Sequence, residues 1–155
     1  MTVKNKKVIY EAWIKSHILY GIAIYGNAKD KEIKRLQKIQ NKLVKILFAN
    51  KYCFKTKKLS IKHQILDVKQ LWTYWVVLKN FFKMKEVKNK LESVKTYPTT
   101  KKFKPLMTKN KFGEKSMGYY VPHTFNKLPG NCWGIKSYKN LKLFLRNWVM
   151  DQDKN

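Results

Sequence analysis

Phosphoryl transfer by a polymerase or nuclease needs carboxylates clustered tightly enough to hold two divalent ions. The acids available are Glu11, Asp30, Glu32, Asp67, Glu86, Glu92, Glu114, Asp151 and Asp153, and they are scattered along the chain. Only Asp151 and Asp153 form a close Asp pair. They sit in a polar C-terminal tail, which lacks the rigid support a metal site requires. His17, His63 and His123 have no motif neighbours, and Cys53 and Cys132 are too far apart for a zinc pattern or a disulfide framework. His17 falls among the apolar positions of a helical segment and reads as a satisfied, semi-buried histidine. No glycine-rich phosphate loop, nucleophile elbow or His-Glu-x-x-His pattern occurs. The expectation is no catalytic residue, no metal, no cofactor and no small-molecule substrate.

The chemistry that the residues do offer is cationic. Lys and Arg total 35 against 9 Asp and Glu, a formal net charge of +26 in 155 residues. A small soluble domain carries roughly 2–8 charges of one sign. Such an excess makes the folded state repel itself, and a polyanion relieves that repulsion. Nucleic acid is the first candidate partner and an anionic membrane surface the second. Only Arg35 and Arg146 are arginine. Lysine is a point charge suited to phosphate, whereas arginine supplies the fork that reads guanine, so binding to the nucleic-acid backbone is expected over base readout. An AT-rich genome would also favour Lys over Arg, but it does not account for the scarcity of acids.

These charges need elements to carry them. Apolar residues make up 44% of the chain and aromatics 14%, enough to bury a core. A first helix is expected over about residues 3–25, where Val8, Ile9, Trp13, Ile14, His17 and Ile18 recur at near-helical spacing, with an end or bend at Gly21 or Gly26. The clearest helix runs from about Asp30, its N-cap, to Phe48, with Asn50 as its stop. On it Lys34, Arg35, Lys38, Lys42 and Lys45 fall within an arc of roughly 100°. Ile33, Leu36, Ile39, Leu43, Val44, Ile46 and Leu47 occupy the other side. An ordinary solvated face would carry compensating Glu at i,i+4 positions, and no acid occurs between Glu32 and Asp67. The basic arc is therefore read as facing nucleic acid.

A basic loop is expected over residues 50–58, then a short helix over residues 61–66 capped by Ser60. Asp67 and Gln70 have the spacing of a capping box. The helix they open carries Leu71, Trp72, Trp75, Val76, Leu78, Phe81 and Phe82, read as core rather than as a base-stacking stripe. Between about Thr96 and Tyr120 the pattern breaks. Lys101, Lys102, Lys104, Lys109, Lys111 and Lys115 alternate there with Tyr97, Phe103, Phe112 and Tyr119. Such interleaving suits single-stranded nucleic acid, and it equally describes a basic linker. Short strands are expected over residues 102–105 and 117–120, a turn of helix over residues 122–128, and a last helix from Ser137 to Val149 with Tyr138, Leu141, Phe144, Leu145 and Trp148 on its buried face. The fold class is mainly α: a helical region over residues 1–93, then residues 94–155 as a basic linker with short strands, a short helix and a C-terminal helix.

In this order the signatures resemble a family. Ser16-His17-Ile18-Leu19-Tyr20-Gly21, followed by Tyr25-Gly26, is similar to the Ser-x-x-x-Tyr-Gly…Trp-Gly segment downstream of the polymerase core in jockey-like and LINE-like non-LTR retrotransposon reverse transcriptases. Leu36-Gln37-Lys38 resembles that family's Leu-Gln-Lys helix, with Lys45-Ile46 where an Arg-Ile pair usually stands. Leu59-Ser60-Ile61 through Leu71 resembles the next stretch, and Thr96-Tyr97 stands where the family usually has Thr-Arg. Phe125-Asn126-Lys127-Leu128-Pro129 is similar to its aromatic-Asn-x-Leu-Pro motif, and Tyr138 to Trp148 to its terminal helix. The resemblance implies a thumb-like and post-thumb region that holds RNA or RNA–DNA hybrid and helps place target DNA, and it implies a nuclear location. The family's Tyr/Phe-Ala-Asp-Asp hairpin has no match, so no enzyme activity is expected of this chain alone. Met1 lies just before the match, which fits a piece of a decayed element or a short remnant retained by a host. An independent architectural DNA- or RNA-binding protein, or a non-functional remnant, would show the same charge. The cysteine usage implies a reducing, intracellular compartment, and neither a signal peptide nor a membrane span is expected.

Overall fold

The computed structural model describes residues 2–48, 55–93, 102–105, 107, 109, 113 and 116–152. Seven α-helices order these residues: α1 (Val3–Ile9), α2 (Ser16–Tyr25), α3 (Asp30–Phe48), α4 (Thr56–His63), α5 (Val68–Ser93), α6 (Met117–Asn126) and α7 (Tyr138–Asp151). No strand occurs among the described residues, so the mainly-α class stands and the two short strands do not. Residues 102–105 are irregular, and the apolar pair Tyr119 and Tyr120 begins a helix instead. The chain forms two compact units. One is Met1–Trp72 with Val149–Asn155, the other Thr73–Trp148, and α5 contributes to both.

In the first unit α1 and α2 are joined by a π-helical segment, Tyr10–Lys15, so residues 3–25 are helical throughout. Gly21 does not end the helix; Gly26 caps it. Both glycines make room for aromatic rings. A Cβ on Gly21 would meet the Tyr25 ring at 2.3 Å, and one on Gly26 would meet the Trp72 ring at 2.1 Å. The inner side of this helix buries Tyr10, Ile18 and Ile22. Trp13, His17, Tyr20 and Ile24 point outward. His17, expected to be half-buried, is exposed, and its Nδ1 donates to the Trp13 carbonyl at 2.6 Å.

Tyr10, Val44, Phe48, Leu59 and Ile65 form the core of this unit, with Ile14 and Leu47 packed against it. At its centre lies a glutamine. Gln40 is 2% exposed, and its Nε2 donates to Tyr10 Oη at 2.7 Å and to the Leu66 carbonyl at 2.8 Å. One amide nitrogen thus ties the π-helical segment and the chain before α5 to α3, while the Gln40 Oε1 is buried without a hydrogen-bond partner among the described residues. Gln37 Oε1, one turn earlier, accepts from the Val68 amide at 2.8 Å, which has no partner within its own helix. The buried row of α3 is therefore Ile33, Gln40, Val44 and Phe48. Ile39 and Ile46, expected on the core side, lie about 100–120° round the helix from Gln40 and are 55% and 76% exposed.

The short helix α4 starts five residues before the expected position and ends at His63. Gln64 stops it in the left-handed conformation (φ 56°), with Gln64 N donating to the Ile61 carbonyl and Ile65 N to the Ser60 carbonyl. This pair of bonds is the Schellman ending, usually made by glycine. The Asp67–Gln70 capping box is present in both directions: Gln70 N donates to Asp67 Oδ1 at 2.7 Å and Asp67 N to Gln70 Oε1 at 2.9 Å.

The second unit buries Val76, Val77 and Phe81 of α5, with Trp75 and Leu78 half-buried and Phe82 mostly out. α6 runs from Met117 to Asn126, longer than the turn expected from Pro122, and contains Pro122 at the cost of one helical hydrogen bond. In α7 Leu141 and Leu145 are buried, whereas Tyr138 is exposed beneath the Lys142 ammonium, 4.6 Å from the ring centroid. Phe81, Phe103, Phe125 and Trp133 form an aromatic cluster with centroid separations of 5.7–6.3 Å.

Candidate nucleic-acid interface

α3 is strongly amphipathic because its glutamine-centred row is buried in the first unit while its opposite side is solvated. Lys34, Arg35, Lys38, Lys42 and Lys45 are all exposed on that solvated side. Lys31, one turn before Lys34, is also exposed and extends the arc. The same i+3/i+4 spacing marks it in the sequence, directly after the N-terminal Asp30 of α3. From Lys34 to Lys45 the helix rises roughly 16 Å, the length of about five phosphates at 3.4 Å each along one strand.

What sets this face apart is the disposition of the acids. Every acid in residues 2–67 has a partner other than Lys34, Lys38, Lys42 and Lys45. Glu11 pairs with Lys15, Asp30 with Lys69 at 3.3 Å, and Glu32 with Arg35 at 3.2 Å, while Asp67 caps α5. Asp30 and Glu32 lie in the first turn of α3 and Lys45 in its last, each at the favourable end of the helix dipole. Among the described residues Lys34, Lys38, Lys42 and Lys45 form no ion pair. Arg35 is partly neutralised by Glu32, so the lysines carry the face.

Lys6 and Lys7 of α1 and Lys62 of α4 make a second basic neighbourhood, around His63. The His63 ring stacks on Phe48 at 4.3 Å, and its pKa is held below 6.5 first by partial burial and then by the charges of Lys62, Lys7 and Lys6. Sequence reading missed this grouping because its members lie more than 50 positions apart.

In the second unit Lys102, Lys104 and Lys109 are exposed. Lys101, Lys111 and Lys115 lie outside the described residues, as do Asn50, Thr96, Tyr97 and Phe112. Phe103, between the two exposed lysines, is buried in the aromatic cluster and does not serve as a stacking platform. Tyr119 is half-buried and stacks on His123 with centroids 5.6 Å apart.

Little else is set up for chemistry. The Cys132 thiol is fully buried, and burial pushes its pKa up to about 11, so it is protonated at neutral pH and a poor nucleophile. Among the described residues no group of three His, Cys, Asp or Glu side chains could hold a metal ion, and no helix is long and apolar enough to cross a membrane. The chain matches no family model, and no curated protein and no solved structure is detectably similar to it.

Proposed function

We propose that this chain binds RNA, RNA–DNA hybrid or DNA through phosphate, without catalysis of its own, as a piece resembling the C-terminal part of a non-LTR retrotransposon reverse transcriptase. The observation that carries the reading is the uncompensated arc of Lys34, Lys38, Lys42 and Lys45 on α3, exposed together while the nearby acids are committed to other partners. The side chains are lysine, so the contacts are point charges on phosphate rather than forks on base edges. Sequence preference is accordingly slight, and shape and flexibility set the choice among nucleic acids. The resemblance would place such a chain in the nucleus.

The test replaces Lys34, Lys38, Lys42 and Lys45 together with Gln and measures RNA binding against salt. Each lost phosphate contact lowers the slope of log affinity against log salt by about 0.7–0.9, so the variant loses roughly 3 from the slope while its helicity is kept. Affinity within about twofold of the parent at all salt concentrations would show the face to be merely solvated. A hundredfold preference for one RNA over a shuffled control at about 150 mM salt would instead mark a sequence-specific regulator, since backbone contacts carry no sequence information.

A further inference from the structure

Asn126 is the last residue of α6, and its side chain does the work of a peptide group. Its Oδ1 accepts from the Phe103 amide at 2.9 Å, and its Nδ2 donates to the Phe103 carbonyl at 2.8 Å. Because a carbonyl can only accept and an amide N–H only donate, both bonds exist in one orientation of the asparagine alone. Both backbone polar groups of Phe103 are thereby satisfied by a residue 23 positions away. The Phe103 ring is anchored as well, edge-on to Phe125 at 6.3 Å and tilted on Trp133 at 5.9 Å. The residues on either side, Lys102 and Lys104, are exposed.

We infer that Asn126 is a positioning residue that clamps the backbone at Phe103 and so presents Lys102 and Lys104 to phosphate as a fixed pair. The role rests on the phosphate-binding reading above and adds a device to it. Two lysines on a loose segment lose chain and side-chain freedom when they meet a phosphate, which offsets much of the contact. Fixing the backbone beforehand removes that cost. The geometry also explains why the chain keeps an asparagine at the end of a helix, where a better helix former would serve α6 itself. Only the carboxamides of Asn and Gln set a neutral N–H donor and a C=O acceptor side by side as a peptide group does, and Asn is the shorter of the two.

The test is a cycle of four full-length proteins: parent, Asn126→Ala, Lys102→Gln with Lys104→Gln, and the triple variant. RNA affinity and its salt slope are measured for each, and limited trypsin cleavage after Lys102 is followed in the parent and in Asn126→Ala; Lys104 precedes Pro105, and that bond resists trypsin. Asn126→Ala is expected to weaken RNA binding severalfold in the parent and to have no effect once the two lysines are gone. It is also expected to speed cleavage after Lys102 while cleavage elsewhere keeps its rate. An equal loss of affinity in both backgrounds would mean that Asn126 acts on the fold, and would overturn the inference. Unchanged cleavage would overturn it too. If the parent and the double lysine variant bind RNA alike, or neither binds, then phosphate is not the ligand of these lysines and their presentation falls; faster cleavage would still establish the clamp. Should Asn126→Ala not fold, Asn126→Ser carries the same comparison, being neutral and too short to bridge both groups.

Discussion

Lysines on α3 and lysines on the later turns of α5 have the same chemistry and opposite uses. On α3 four of them stand exposed on one face with no ion pair among the described residues. In the second unit Lys85 Nζ donates to the Ile135 carbonyl at 3.0 Å, and Lys88 lies over the Trp133 ring, 4.4 Å from its centroid. The first group adds to the potential that a polyanion meets. The second has been turned inward, its ammoniums serving as a cap on a loop carbonyl and a cover on an aromatic cluster. A count of lysines therefore overstates how many ammonium groups stand open to an outside ligand. What separates the groups is the company each helix face keeps, aliphatic and glutamine on one side of α3, aromatic around α5.

The largest expected effect breaks the comparison directly. Replacing the four α3 lysines with Gln should cut RNA affinity more than tenfold near physiological salt, since four phosphate contacts are lost. The same change should leave the melting temperature unchanged or slightly raised, because self-repulsion falls. Lys85→Gln with Lys88→Gln should do the reverse, leaving affinity within about twofold and lowering stability by about 1 kcal/mol through the lost carbonyl bond and cation–π contact. If the two pairs of measurements move together, the distinction between outward and inward lysines is wrong.

A second prediction turns to the other face of α3. Gln40→Leu should destabilise the protein by about 1–3 kcal/mol, because the Leu66 carbonyl and Tyr10 hydroxyl each lose a buried partner. Urea denaturation reads this, and a neutral result would mean that the central glutamine is expendable. RNA affinity of the folded variant should not change, since the glutamine row and the lysine arc lie on opposite sides of one helix.

Gln64→Gly is expected to stabilise by up to about 1 kcal/mol, by relieving a left-handed residue at the end of α4. It leaves every charge in place, so a change in RNA affinity beyond twofold would show that α4 and its lysines take part in binding. The smallest effect belongs to His63. Its pKa in the folded protein lies below the ordinary 6.5, through burial first and Lys62, Lys7 and Lys6 next. The unfolded chain therefore takes up this proton at higher pH than the folded one, and the stability His63 contributes is full above pH 6.5 and declines as the pH falls below it. His63→Gln should flatten that decline in a comparison of melting temperatures at pH 7.5 and 5.5. A variant with the same pH dependence as the parent would show that the decline belongs to other groups.

Local rules sufficed where a feature closes within a turn or two of chain. The Asp67–Gln70 cap spans three residues, and the lysine arc of α3 follows from a period of 3.6 and the absence of nearby acids, so both could be read before any packing was known. The mainly-α class follows from the same periodicity. Tertiary structure alone decided which part of each helix is covered. Ile39 and Ile46 are as apolar as Ile33, yet the buried face turned toward Gln40, because that side chain could satisfy Tyr10 and Leu66 at once. The end of α4 depended on a left-handed glutamine that no propensity favours, and α6 replaced an expected strand because Val121 and Phe125, four residues apart, are both buried on one side of a helix. Lys85, Lys88 and the asparagine clamp on Phe103 are invisible in sequence for the same reason. Each joins residues more than 20 positions apart, and hydrogen bonds of that range are settled by where the chain brings its groups together, not by which residues are neighbours along it.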